Sequence, residues 1–238
     1  MIVVLAQPLD AAARGFVERS GGEAALLTVR ELSEAGWSHS PTGSLDSDDV
    51  SVIGGQRVAP SDISAVVTRI PAVAPETLRH IDPRDRVFVA AEMNAFLLSW
   101  LTKLEGRGCV VVNRATAGSL MGPAWSRERW LAEGCRNGFE PFARAVPVPL
   151  PAVPPTGTRT IVVAGDACIG DASPHLRDRA RGLARRTGVT LMGFCVDEDD
   201  RLILAEPWPD IAQPDVASAL LSLLRTAPNA HAAHRGAA

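Results

Sequence analysis

Carboxylates at the ends of apolar strands are the residues of this chain best placed to do chemistry. The run "LILAE" (202–206) ends in Glu206, and Pro207-Trp208-Pro209 then breaks the chain. A carboxylate in that position is a common holder of a metal ion or a proton. Just before it, "DEDD" (197–200) gathers four acids, and "DSDD" (46–49) repeats the idea. A calcium loop needs ligands at alternate positions over about twelve residues and a glycine turn. Neither acidic run has that pattern, so both read as solvated turns. "HAAH" (231–234) spaces two histidines for one helix face, but it lies in an Ala-rich terminal stretch with no third ligand nearby. Ser119 in "TAGSLMGP" reads as part of a turn rather than as a nucleophile. "VAGDACIG" has no Lys-Ser/Thr after it and is not a phosphate loop.

The elements that must position these residues follow from punctuation. "IVVLA" (2–6) is a continuous apolar run, as in a strand buried on both faces. A helix follows with Asp10 as its N-cap and Gly21-Gly22 as its stop, then a strand at 24–29. This β-α-β opening predicts an α/β domain with a parallel sheet. "VSVIGGQRVAP" (50–60) reads as a hairpin turning at Gly54-Gly55. A strand at 63–70, a helix at 84–106, a strand at 109–113 and a helix at 125–138 come next. Phe88, Ala91, Ala95, Leu98 and Leu101 fall near helical spacing in the longer helix.

"PVPLPAVPPTG" (147–157) has five prolines and reads as an extended connector. Beyond it lie two strands around Gly165-Asp166, a helix at 173–188 capped by Ser173, two strands at 189–206 and a helix at 214–226. The expected division is an α/β domain over 1–146, the connector over 147–158, a smaller half over 159–226 and a flexible tail over 227–238.

Composition bounds the function. The chain has 238 residues, 46% of them apolar, and a net charge of −3. That balance gives no electrostatic reason to expect nucleic acid or an anionic membrane, and the basic stretch "RARGLARR" (179–186) reads as a solvated face. No run reaches the roughly 18 consecutive apolar residues of a membrane span, and the start lacks the basic region of a signal peptide. Cys109, Cys135, Cys168 and Cys195 are widely spaced with no CxxC, so reduced thiols and a cytoplasmic location are expected. Basic residues comprise 23 Arg and one Lys, Lys103. That lysine reads as a solvated helix position paired with Glu105 or neighbours near Glu92. Five Trp and no Tyr is an unusual aromatic usage.

Several phrases together resemble the ATP-grasp ligases, in particular the peptide- and ribosomal-protein-modifying branch. "EMNAFLLSWLTKLEGRGCVVVNR" is similar to that family's helix–strand unit ending in Val-Asn, and "SRERWLAEGCRNGFEPF" to the helix after it. "TIVVAGDACIGD" resembles the strand-turn-strand of the second half, and "LARRTGVTLMGFCVDEDDRLILAEPWP" the last helix and hairpin. The resemblance implies a pre-ATP-grasp-like parallel sheet domain followed by a truncated ATP-grasp-like α+β half. Family members hold ATP through lysines, a Gly-rich loop and Mg²⁺ bound by carboxylates and an Asn, and they pass an acyl phosphate to an amine.

This chain departs from that pattern at each such point. The helix that should open with a lysine reads Trp125-Ser126-Arg127. Only the proline stretch lies between Ala145 and Arg159, where the central ATP-binding region should be, and each strand there would need about five residues. The first metal carboxylate falls near Gly193, and Glu206 remains while the expected Asn is Trp208.

Three readings stay open. The first is a non-catalytic, pseudoenzyme-like subunit that needs no cofactor and binds a protein or peptide through Trp125, Trp208, Pro207 and Pro209, with a homodimer or other homo-oligomer included. The second is a minimal ATP-dependent carboxylate–amine ligase using Mg-ATP, with Arg69, Arg127 and Arg159 on phosphate and Glu206, Asp197 and Asp210 on Mg²⁺. The third is a structural component of a larger assembly. Trp125, Trp130 and Trp208 fall where the family's cleft would lie, and Trp130, in mid-helix, reads as core.

Overall fold

The computed structural model describes residues 1–42, 49–141 and 157–226. The connector, apart from Gly157 and Thr158, the tail and most of "DSDD" lie outside them. The described chain forms two compact units. One comprises residues 1–123 and 211 onward, the other Ala124–Asp210.

The first unit is built on a four-stranded parallel sheet in the order β2-β1-β5-β6. Its strands are β1 (Ile2–Leu5), β2 (Ala24–Leu27), β5 (Ala65–Thr68) and β6 (Val110–Val112). All four residues of β1 are buried, as its unbroken apolar run requires. Val3, Leu5 and Val66 join one core with Leu97, Leu101 and Leu104 of α2 (Arg86–Gly106). Helix α1 (Ala11–Arg19) starts where predicted: the Asp10 carboxylate accepts a hydrogen bond from the Ala13 amide at 2.9 Å. The Gly-Gly hairpin forms as β3 (Ser51–Ile53) and β4 (Gln56–Val58). Gly54 and Gly55 take φ of 58° and 72°, the left-handed pair that a two-residue turn needs.

The second unit is an antiparallel sheet in the order β10-β9-β7-β8. It contains β7 (Arg159–Ala164), β8 (Ala167–Ile169), β9 (Leu191–Val196) and β10 (Leu202–Glu206). Helix α3 (Arg127–Arg136) packs on β10, and α4 (Pro174–Thr187) on the other three strands. Ser126 and Ser173 cap these helices, each accepting from the amide three residues on. Gly188 closes α4 in the left-handed conformation at φ 67°.

The expected boundaries need correcting at both ends of this unit. Helix α3 was assigned to the first domain but builds the second, because buried Trp130 enters the core with Phe194 and Leu202. Helix α5 (Pro214–Thr226) was assigned to the second half but belongs to the first. Its approach is held by α1: a Cβ at Gly15 would lie 2.7 Å from that of Ala212, so the glycine admits the chain there. Arg19 donates to the Ala212 carbonyl at 2.7 Å, and the Arg225 guanidinium forks onto the Glu23 carboxylate.

One pattern acquires an unexpected direction. Leu101 is buried, but Phe88, Ala91 and Ala95 lie on the outer face of α2 with Leu98 half-buried beside them. The core contacts are made by Ala90, Leu97, Trp100, Leu101 and Leu104. This helix is apolar on nearly every side, and among the described residues it alone is long and apolar enough to match a membrane span by length and composition.

Candidate functional site

In an open parallel sheet, ligands are received outside the carboxyl ends of the strands where the strand order reverses. Here that point lies between β1 and β5. Asp10 follows β1 and Arg69 follows β5, and they meet there as a buried ion pair, Nε to Oδ2 2.7 Å. The Asp10 carboxylate thus caps α1 and pairs Arg69 with the same two oxygens. Nearby in the fold, the Thr68 hydroxyl donates to the Val112 and Asn113 carbonyls at 3.3 and 3.2 Å. Ser119 is buried in a turn, its backbone paired with Thr116 and its Oγ accepting from the Met121 amide, as its flanking glycines suggested.

A second polar cluster was not foreseen. His39 Nε2 lies 2.8 Å from Ser99 Oγ, and His39 Nδ1 lies 3.2 Å from Asp49 Oδ2. The same Asp49 oxygen is 2.8 Å from Lys103 Nζ, which also donates to the Ser40 carbonyl. The Lys103 side chain is 9% exposed and that of Asp49 6%, so the solvated position expected of the lysine is corrected to a buried ion pair. Serine, histidine and carboxylate stand here in the connectivity of a nucleophilic triad. Ser99, however, sits in mid-helix, where backbone N–H groups are spent on the helix and none is left to hold an oxyanion. Lys103 also takes up the carboxylate charge that would otherwise support an imidazolium. The cluster can fasten His39, Ser40 and Asp49 to α2. The sequence signal for it was weak: a lone lysine four residues after a serine.

In the second unit the acidic turn is organised by arginines. Asp197 accepts from the Asp199 and Arg201 amides at 3.0 and 2.8 Å and from Arg201 Nε at 2.7 Å. Burial opposes ionisation of Asp197, but these donors outweigh it and hold the carboxyl below the ordinary range. Arg159 reaches the Asp197 carbonyl and Asp200, the latter at 2.5 Å. Asp200 itself takes φ 64°, a left-handed turn position that Asp tolerates. A depressed carboxyl stabilises the fold above its unfolded pKa of about 3.9 and ceases to as pH falls through its lower folded value. Asp197→Ala is therefore expected to lose about 1–2 kcal/mol at pH 7, the worth of a few net hydrogen bonds. In urea titrations the gap to the unsubstituted protein should stay constant above pH 5 and close below pH 4.

At the other end of this hairpin, Glu206 is exposed and pairs across the ladder with Gly193. Pro209 is buried and folds back on that glycine: a Cβ at Gly193 would stand 3.2 Å from the Pro209 Cβ. Pro207 is half-buried, and Trp208 between the two prolines is 39% exposed. Trp130 is buried as expected, but Trp125 packs on it with its ring tilted by 47°, 4.6 Å between ring centroids, and is capped by the Arg129 guanidinium at 4.1 Å. Of the four residues proposed for partner binding, Trp125 and Pro209 are thus committed to the unit's own packing. Trp208 is partly exposed and Pro207 half-buried.

Of the three residues proposed for Mg²⁺, Asp210 is exposed, and Asp197 and Glu206 are not brought together. Asp197 is at the turn of the β9–β10 hairpin and Glu206 at its open end, about 13 Å along the strand. Among the described residues no group of three or more His, Cys, Asp or Glu could hold a metal. The three arginines proposed for phosphate are engaged separately. Arg69 is with Asp10, Arg127 donates Nε and Nη2 to the Ile203 carbonyl at 3.2 and 3.1 Å, and Arg159 serves the acidic turn. The four cysteines are free. Cys109 and Cys168 are buried, Cys195 is half-buried and Cys135 is exposed. Burial pushes the Cys109 thiol up to about 12, which leaves it unreactive.

No protein-family model matches the chain, and no curated protein matches it. Solved structures do. The ATP-grasp ligase PsnB, complexed with a minimal precursor, Mg and ADP, aligns at TM-score 0.64 and 16% identity, over 94% of this chain and 98% of that one. The macrocyclase MdnC from Microcystis aeruginosa MRC, bound with precursor peptide MdnA, aligns at TM-score 0.64 and 11% identity, over 94% and 99%. A RiPP-associated ATP-grasp ligase of Chryseobacterium gregarium, in complex with ADP and a leader and core peptide, aligns at 0.61 and 10%, over 95% and 97%. At these identities the likeness is one of architecture, and the chain has the fold of the peptide-modifying ATP-grasp ligases.

Proposed function

We propose that this chain is a peptide-binding pseudoenzyme of ATP-grasp fold, which receives a peptide or protein partner without running the ligase reaction. The observation that carries the reading is Gly193 beneath Pro209. Where the family resemblance calls for the first metal carboxylate, the backbone is bare and a proline ring is packed over it. Two further features support it. Lys103, the only lysine, is buried against Asp49 and cannot serve as a phosphate contact. The stretch between α3 and β7 is too short for a subdomain of several strands. On this reading the protein needs no nucleotide or metal cofactor and has no nucleic-acid or membrane partner. Its free thiols, one of them exposed, suit the reducing cytoplasm.

PsnB and MdnC were solved with their precursor peptides. For this chain a peptide partner follows from that shared fold and from the surface Trp208, since tryptophan is a recurrent anchor of protein contacts.

Two measurements test the reading. A binder with Kd of about 50 μM, present at about 5 mM, stabilises a protein by about 2.7 kcal/mol. Thermal melts with Mg-ATP are expected to show no shift of that kind, and a clear upward shift would restore the minimal ligase. Fluorescence polarisation with labelled peptides encoded beside the gene is expected to give saturable binding. Trp208→Ala should weaken that binding about thirtyfold, the effect of losing a hot spot of 2 kcal/mol, with the melting curve little changed. Binding indifferent to Trp208 would remove the assigned surface.

A further inference from the structure

Lys103 carries the only side-chain amine of the chain, since the other 23 Lys and Arg positions are all arginine. A free amine is a strong nucleophile toward activated acyl groups, whereas a guanidinium keeps its proton and charge. Lasting acylation of a side-chain nitrogen in this protein therefore converges on one atom, Lys103 Nζ. Folding closes that atom. It lies 2.8 Å from Asp49 Oδ2 and 2.8 Å from the Ser40 carbonyl, and the side chain is 9% exposed. As an ammonium it spends its N–H bonds on such oxygens and has no lone pair to attack with. Its backbone is fixed in α2 between buried Leu101 and Leu104, so the amine is released only when its contacts to Ser40 and Asp49 break. In an unfolded chain the same nitrogen stands in water, exchanges its proton freely and is open to reaction.

We propose that Lys103 is an acylation site controlled by folding: closed in the native protein, open in the unfolded chain, and a block to refolding once it has reacted with an acyl phosphate or a thioester. The inference is independent of whether the protein binds nucleotide or peptide. In the step, the nitrogen lone pair attacks the acyl carbon and the N–C bond forms. The C–O bond to phosphate, or the C–S bond of a thioester, breaks. The departing phosphate or thiolate keeps the electron pair, and the nitrogen gives its extra proton to water. The product is a neutral amide. It cannot supply the charge that faces the Asp49 carboxylate, which is 6% exposed in the fold. A carboxylate buried without its counter-charge strongly disfavours the native state. The acyl group also lengthens a side chain whose tip already touches Asp49 and Ser40, which adds overpacking. Folded molecules are spared, and the supply of chains able to fold falls as activated acyl groups rise.

Acetyl phosphate added to the full chain, with the sites of reaction read by peptide mass spectrometry, tests this. In the folded protein Lys103 is expected to react about a hundredfold more slowly than in guanidinium chloride, as a site reached only through opening of the structure does. The terminal amine at exposed Met1 should react under both conditions and serves as the reference. After the denaturant is removed, chains acetylated at Lys103 are expected to stay unfolded by circular dichroism, and chains acetylated only at the terminus to refold. Lys103→Arg keeps the charge and takes no lasting acyl group, so its refolding should match its own untreated control. Equal reaction of Lys103 in the folded and denatured protein would overturn the proposal, since the amine would then be open in both. So would native refolding of the chain acetylated at Lys103. Loss of refolding in treated Lys103→Arg would place the damage at another residue and overturn it too.

Discussion

Lys103→Met is expected to lower the unfolding free energy by about 3–5 kcal/mol, the range found when one partner of a buried ion pair is removed. The side chain that replaces the lysine fits the space but takes the counter-charge from the Asp49 carboxylate, which is 6% exposed and also touches His39 and the Ser40 amide. Desolvating an ion costs several kcal/mol, and it is the loss of its counter-charge rather than of one hydrogen bond that makes the effect large. The double change Lys103→Met with Asp49→Leu should recover most of the loss, because replacing both partners by apolar groups is often neutral. Urea unfolding followed by circular dichroism measures both. If Lys103→Met costs less than 1 kcal/mol, the lysine is solvated in solution and the pair is not formed.

The second large effect is expected at Asp10, because one carboxylate serves two neighbours. Asp10→Ala removes the cap of α1, worth about 1 kcal/mol, and strips buried Arg69 of its counter-ion, worth about 3 kcal/mol or more. A total near 4 kcal/mol is expected. Asp10→Asn retains a capping oxygen and so should recover the first part but little of the second, since an amide carries no charge. The ordering Ala worse than Asn, with both well below the unsubstituted protein, is the outcome that urea midpoints should give. Equal losses in the two variants would mean that the cap carries no weight and the ion pair all of it.

These two sites also mark what could be read in the sequence and what could not. The cap at Asp10, the Gly54-Gly55 turn and the Ser173-to-Gly188 helix are local matters. A side chain bonds an amide three residues away, or a glycine takes an angle other residues avoid, and the chain announces each within a few residues. The fate of Lys103 is not local, because its partner is 54 positions earlier and only the folded chain brings Asp49 to α2. The orientation of α2 was hidden for a different reason. A helix apolar on almost every side offers no contrast from which to tell a core face from an outer one. Helix α5 showed a clear apolar stripe over 214–226, but an amphipathic stripe does not say which sheet it will cover. At the β9–β10 hairpin the ladder was legible from two apolar runs and the acidic turn between them. Pro209 seated on Gly193 was not, since neither residue type reports on a neighbour sixteen positions away.

The return of α5 to the first unit has a consequence for how the protein is made. Residues 124–210 form an uninterrupted stretch, so the second unit can close as soon as its own strands have left the ribosome. The first unit begins the chain yet lacks its last helix until residue 226 has been synthesised. Of the two units, the one whose synthesis starts earlier is thus the one completed later. Buried Val216, Leu220 and Leu224 hold the surface that its nascent form must leave uncovered in the interval. Chains stalled just before residue 211 should accordingly recruit chaperones through residues 1–123, although that portion has already left the ribosome.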